Sequence, residues 1–272
     1  MTKDKDTLVI IDADGLIYSA SYKVASGDEA LLKCKEYLYN IYINTNAKYS
    51  IGFLTSSSHR YEIAKTQSYK GNRKDFEKPK YFNLLLEYLK HNFNFGYLPQ
   101  TEADDLCISA YMKYKDEFNC VISSPDKDLR QIEGLFYSPK TFKHEYVTQE
   151  QAEYNFYIQM LMGDTTDNIL GIPGIGIKTA EKLLTGIKSE DLFEVVLNKY
   201  LEYYKNPSLA YYKFSETYLL LYLRRNIEFD TPINEVDFNA LAEYKESLIT
   251  KLEKGGKVGD NQDESKQTSI LF

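Results

Sequence analysis

After Thr7, apolar positions run unbroken to residue 11 and stop at Asp12, the mark of a strand buried on both faces in a parallel sheet. Leu31, Leu32, Tyr37, Leu38 and Ile41 then recur at helical spacing, predicting an amphipathic helix over 28–43. Residues 49–54 read as a second strand. Between His59 and Tyr81 the periodicity gives way to polar and basic residues. A helical period returns over 82–93, with Leu85, Leu86 and Leu89 on one face. Thr101 is placed to cap a helix running from Glu102 to Tyr114. A third strand is expected over 119–123, ended by Ser124-Pro125-Asp126, and a fourth over 135–137. From Thr148 onward the pattern predicts helices only, interrupted at 171–176 by a glycine-rich stretch. Strands alternating with helices in the first half predict an α/β fold with a mostly parallel sheet flanked by helices, and the second half a helical addition. No internal repeat is found, and the polar stretch 255–267 reads as a flexible linker.

Charge at first argues against a nucleic-acid partner. Thirty-three Lys and Arg face 40 Asp and Glu, a net charge of −7, whereas phosphate binding needs basic surface. The distribution reverses that inference. Asp12 follows the first strand, and Asp126 and Asp128 follow the third, so a parallel sheet would bring them to one edge. Glu102, Asp104 and Asp105 crowd a helix start, and Asp164 and Asp167 precede the glycine stretch. With Asp14, these nine acids exceed the whole negative excess. Carboxylates gathered at one edge repel unless a cation neutralises them. Three cysteines (Cys34, Cys107, Cys120) lack zinc-ligand spacing and read as buried thiols in a reducing compartment, and His59, His91 and His144 are scattered. A metal here would be held by oxygen, which suits Mg²⁺ or Mn²⁺. Taken singly, Glu102–Asp105 also fits helix capping, Asp126 and Asp128 fit a turn, and Asp14 reads as a structural or supporting residue.

Two further segments suit a phosphate backbone. Gly171, Gly174 and Gly176 precede a helix carrying Lys178, Thr179 and Lys182, and glycine permits close approach of an anion to backbone N–H groups. Segment 60–80 holds seven basic residues against three acidic ones, interleaved with tyrosines, a composition suited to a single-stranded nucleic acid. No secretory leader and no apolar run of membrane-span length is seen, so a cytoplasmic protein, with no membrane association, is expected.

The strings LVIIDADGLIYSA, YKGNRK, EADD, ISSPDKDLRQ and LMGDTTDNILGIPGIGIKTAEKLL occur in the order of the 5′-nuclease (flap endonuclease) family. That family includes phage 5′-exonucleases and the 5′→3′ exonuclease domain of bacterial DNA polymerase I, and the resemblance spans roughly residues 7–185. It implies a PIN-like core over 1–147 with a helical arch at about 59–81. A helical region over 148–254 would contain a helix–three-turn–helix, followed by a tail over 255–272. It further implies two Mg²⁺ or Mn²⁺ ions held by Asp12, Glu102, Asp104, Asp105, Asp126, Asp128, Asp164 and Asp167. Lys70 and Arg73 would act on the scissile phosphate, with Tyr69 stacking on a terminal base and Lys74 beside it. The glycine turn, with Lys178, Thr179 and Lys182, would bind duplex DNA and hold K⁺. The implied activity is hydrolysis of DNA bearing 5′ ends, flaps or nicks, and of RNA–DNA hybrid, by a monomer in replication or recombination. Where the family has an aspartate past the second strand, this chain has Thr55. Thr55 gives one alternative, a catalytically weakened member that binds branched DNA; a second is a PIN-type ribonuclease, against which the duplex-gripping glycine turn argues. The ending Gln267, Ile270, Leu271 and Phe272 resembles peptides that dock on sliding clamps.

Overall fold

The apolar run after Thr7 becomes the central strand of the fold. In the computed structural model, which describes residues 5–73, 77–239 and 243, β1 (Thr7–Asp12) lies between β2 (Tyr49–Phe53) and β3 (Asn119–Ser123), parallel to both. β4 (Gly134–Ser138) continues the parallel set beyond β3. β5 (Lys143–Val147) and β8 (Asn234–Glu235) close the two edges antiparallel, giving the order β5-β4-β3-β1-β2-β8. The chain passes to one side of β1 to form β2 and to the other to form β3. Its crossovers therefore diverge at the C-terminal end of β1, where such sheets open a crevice.

Both faces of β1 are covered, as its unbroken apolar run requires. Leu8 and Ile10 pack with Ile122, Phe136 and the inner side of α5 (Ala103–Tyr114). Val9 and Ile11, pointing the other way, are equally buried. α1 (Ala13–Ser21) springs straight from β1 with Asp12 as its N-cap, which is why no turn signal announced it. α2 (Gly27–Thr45) is capped by Ser26 and stopped by Asn46 in the left-handed conformation, and α4 (Phe82–Phe93) packs on both. Cys34, Cys107 and Cys120 are free and buried.

The second half is mainly helical. α6 (Gln149–Met162) starts with a full capping box between Thr148 and Gln151. α7 (Ile177–Leu184), α8 (Leu192–Tyr204) and α9 (Pro207–Leu221) share one core with α6 around Phe156, Leu161, Val196, Tyr200 and Phe214. This half is not helical throughout, because β6 (Gly163–Asp164) and β7 (Ile169–Leu170) form a small hairpin and β8 joins the main sheet. The hairpin brings Gly163 (φ 74°) and Gly171 into backbone contact. A Cβ on Gly171 would meet Gly163 N and Leu161 O at 2.4 Å, so Gly171 is required by the hairpin itself. Among the described residues, those up to Glu235 form one compact unit. Among the described residues no helix is long and apolar enough to cross a membrane.

Segment 59–81 departs from the helical arch that the resemblance implied. Among its described residues it holds α3 (Arg60–Ile63) and one 3₁₀ turn, Gly71–Arg73. The rest is irregular chain held by specific bonds: Glu216 of α9 accepts the N–H groups of Lys65 (2.6 Å) and Thr66 (2.7 Å). Thr101 does not cap α5 either. Its hydroxyl donates to Pro99 O (3.0 Å), and Thr55 Oγ1 accepts the Ala103 N–H instead (2.9 Å).

Candidate active site

The crevice beyond β1 is an open cleft of about 1290 Å³, larger than a typical small-molecule pocket. Asp12, Glu102, Asp104, Asp126, Asp128, Asp164 and Asp167 all line it, joined by Asp14, Lys70 and Arg73. Local structure sets each carboxylate. Asp12 ends β1 and its Oδ2 accepts the Ser124 hydroxyl (2.8 Å). Ser124 Oγ in turn accepts the Asp126 N–H (3.0 Å), and Asp126 Oδ1 the Asp128 N–H (2.9 Å). Asp164 Oδ1 accepts the N–H groups of Thr166 (2.6 Å) and Asp167 (3.3 Å).

Two motifs nearly a hundred residues apart are stapled together beside these acids. Lys70, in a left-handed conformation (φ 51°), donates its N–H to Asp167 O (2.8 Å). Asn72 donates to Thr165 O (2.8 Å) and Asn168 to Ser68 O (2.8 Å). The Lys70 ammonium engages Glu102 and stands 3.6 Å from Asp167, and Arg73 Nη2 lies 2.5 Å from Asp167 Oδ1. Among the described residues no three carboxylate, imidazole or thiol groups converge closely enough to grip one ion as they stand. Internal cations engage two of the carboxylates instead.

Three residues lie elsewhere than their motifs suggested. Asp105 is fully buried and faces away from the cleft. Its carboxylate is bound by Arg60 Nη1 (2.8 Å) and Nη2 (3.0 Å), and by the N–H of Arg224 (2.8 Å). Arg60 is itself 1% exposed, so it is an internal ion-pair partner rather than part of a basic surface path. The Tyr69 ring is buried in the helical core at 3% exposure. Its hydroxyl lies 2.9 Å from Glu102 Oε2 and 2.8 Å from Asp167 Oδ2, leaving no ring face for a base. Tyr61, packed edge-on against Tyr69, is the exposed aromatic at the cleft among the described residues. Lys178, Thr179 and Lys182 are exposed on α7. Gly174 takes φ 86°, and neither it nor Gly176 would strike protein if given a Cβ. Lys74 and the Gln267, Ile270, Leu271, Phe272 peptide lie outside the described residues.

The crowding shows in the proton affinities. Burial, with Asp14 and Asp126 nearby, pushes Asp12 up to about 7, and burial with Asp126 and Asp164 pushes Asp128 up to about 8. Burial also raises Asp14, Asp104 and Asp167. The folded cleft thus keeps protons that an unfolded carboxylate gives up near 3.8. The resulting stability is complete below that value and is lost as pH climbs to about 8. In EDTA the unfolding midpoint should fall between pH 5 and pH 8. Millimolar Mg²⁺ should raise it more at pH 8 than at pH 5, and an equal rise at both would contradict this account of the cleft.

No protein-family model matches the chain. A 5′-3′ exonuclease of Buchnera aphidicola subsp. Schizaphis graminum is 30% identical over 208 residues, covering 70% of this chain and 72% of that protein. The chain belongs to the 5′-3′ exonuclease family. Among this family's polymerase-linked relatives, DNA polymerase I of Bacillus subtilis is 29% identical over 256 residues, 76% of this chain and 27% of the polymerase. The chain spans 27%, 18% and 50% of three curated relatives it matches. In fold, a structure of T5 5′-exonuclease with divalent metal ions (zinc) bound aligns with TM-score 0.60 and 17% identity, covering 90% of this chain and 98% of that one. The likeness supports the exonuclease-type α/β architecture.

Proposed function

We propose that the chain is a divalent-metal-dependent 5′ nuclease that hydrolyses phosphodiesters in DNA bearing 5′ ends, flaps or nicks. The observation that carries this reading is the joint lining of one cleft by seven motif carboxylates and by Lys70 and Arg73, in a chain of the 5′-3′ exonuclease family. Oxygen-only donors of high charge fit two Mg²⁺ or Mn²⁺ ions. Asp12, Glu102, Asp104, Asp126, Asp128, Asp164 and Asp167 would hold them, while Asp105, locked to Arg60, would brace Glu102 and Asp104 from behind. The chemistry supplied by ions bound there is activation of water and stabilisation of charge on the phosphate.

The remaining work falls to this chain's own residues. Lys70 and Arg73 can turn toward a phosphate from the cleft rim. Tyr61 offers an exposed ring for a base. Lys178, Thr179, Lys182 and the open glycine turn suit a duplex backbone, where a K⁺ ion belongs to the same reading. The protein's packing leaves the space above Gly176 open, which supports an outside group approaching there.

The test is cleavage of end-labelled 5′-flap, nicked, blunt and single-stranded DNA, and of an RNA–DNA hybrid, in Mg²⁺ and in Mn²⁺. Cutting near the 5′ end, strongest on flap or nick, is expected. No cleavage in either metal would overturn the enzymatic reading. Thr55, a neutral residue past β2, favours a second reading: a branched-DNA binder that cuts weakly. Binding of the flap substrate without turnover would select it.

A further inference from the structure

We propose that Asp14 is a metal-binding carboxylate of the cleft, held at the end of β2 where the strand supplies no acid of its own. The inference rests on the nuclease reading and goes beyond the acids that the motifs single out. Three neighbouring parallel strands open onto the crevice. β1 brings Asp12, and the loop after β3 brings Asp126 and Asp128. β2 runs on into Leu54, Thr55, Ser56, Ser57 and Ser58, which are all uncharged.

Asp14 fills that gap from the side. It lies in the first turn of α1, and its N–H donates to Asp12 Oδ1 (3.3 Å). Its own Oδ1 reaches across to accept the Thr55 N–H (3.1 Å). Thr55 Oγ1 accepts the Ala103 N–H (2.9 Å), at the start of the helix that presents Glu102 and Asp104. One uncharged residue thus ties Asp14 into the carboxylate set, and Asp14 lines the same cleft. Glu102 and Asp167 have Lys70 and Arg73 as partners. Asp14, by contrast, has no cation at ion-pair distance among the described residues, and Thr55 is its hydrogen-bond anchor. Asp14 lines the cleft while one of its oxygens is held by Thr55. A partly buried carboxylate without a counter-ion is costly to the protein alone, and a divalent cation offsets that cost.

The experiment measures Mn²⁺ binding to the full chain by loss of the free-ion EPR signal, together with the metal-induced rise in unfolding midpoint. Asp14→Asn keeps an acceptor for the Thr55 N–H, so its midpoint in EDTA should equal or exceed that of the unaltered chain. Its Mn²⁺ affinity should nonetheless fall by about 10- to 100-fold. Adding Thr55→Asp to Asp14→Asn returns a carboxylate to the end of β2 and can still cap Ala103, so it should recover most of the lost affinity. Unchanged Mn²⁺ affinity in Asp14→Asn overturns the proposal and leaves the nuclease reading intact. Loss without recovery in the double variant overturns the placement at β2. Absence of Mn²⁺ binding by the unaltered chain overturns both.

Discussion

Arg60→Ala is expected to destabilise the protein by about 3–5 kcal/mol, the largest single-site loss foreseen, because it strands buried carboxylates. Arg60 Nη1 binds both Glu102 Oε2 and Asp105 Oδ2 at 2.8 Å, and Nε donates to Leu220 O at 2.8 Å. The side chain therefore joins the segment after β2, the start of α5 and the end of α9. Without it, Arg224 at 3.4 Å is, among the described residues, the one permanently charged partner left to Asp105. His59, at 4.0 Å, carries its charge only when protonated, and burial and the neighbouring arginines lower its pKa. Arg60→Lys should lose less, since a charge remains while the bidentate fork is gone. Denaturant unfolding at constant pH checks both. A loss below about 1 kcal/mol for Arg60→Ala, the scale of an exposed pair, would show that the network is not what holds these elements.

Asp12→Asn is expected to reduce cleavage of a 5′-flap substrate about a thousandfold. The estimate takes several kcal/mol of transition-state charge stabilisation as lost with one central carboxylate, at tenfold per 1.36 kcal/mol. Asparagine Oδ1 can still accept the Asp14 N–H, and its amide can donate to Ser124 Oγ once that hydroxyl rotates, so the strand end and the start of α1 should hold. Because burial and like charges already push Asp12 up to about 7, removing its charge should leave the metal-free unfolding midpoint unchanged or higher. Flap binding should persist in the presence of metal. Single-turnover cleavage and binding of the same substrate give both quantities, and undiminished cutting would remove Asp12 from the chemistry.

What could be read from the sequence depended on whether a signal was carried by pattern or by burial. The unbroken apolar run before Asp12 led to the central strand, and the strand-end acids to the cleft, because both follow from parallel-sheet geometry. Arg60 and Tyr69 looked alike in composition to surface-path residues. What separates them is burial among partners such as Leu220, Glu102 and Asp167, far away along the chain. Asp105 shares its motif with Asp104, yet the 100° step per residue of a helix turns its side chain into the core. Thr55 was legible as a missing charge. That its N–H holds Asp14 could not be read, since the bond spans 41 residues. The hairpin at Gly163 and Gly171 was hidden inside a stretch read as helical, because two-residue strands carry no periodicity.

On the proposed nuclease reading, the pairing of Lys70 and Arg73 with Glu102 and Asp167 would make the cleft an ion exchanger. A divalent ion taken up by those carboxylates would displace the two side chains and free two cations to face a phosphate. Uptake of metal and readiness for an anionic substrate are then one equilibrium, and reciprocity requires each to strengthen the other. A substrate phosphate that draws Lys70 and Arg73 away should tighten metal binding by the same factor by which metal tightens the substrate.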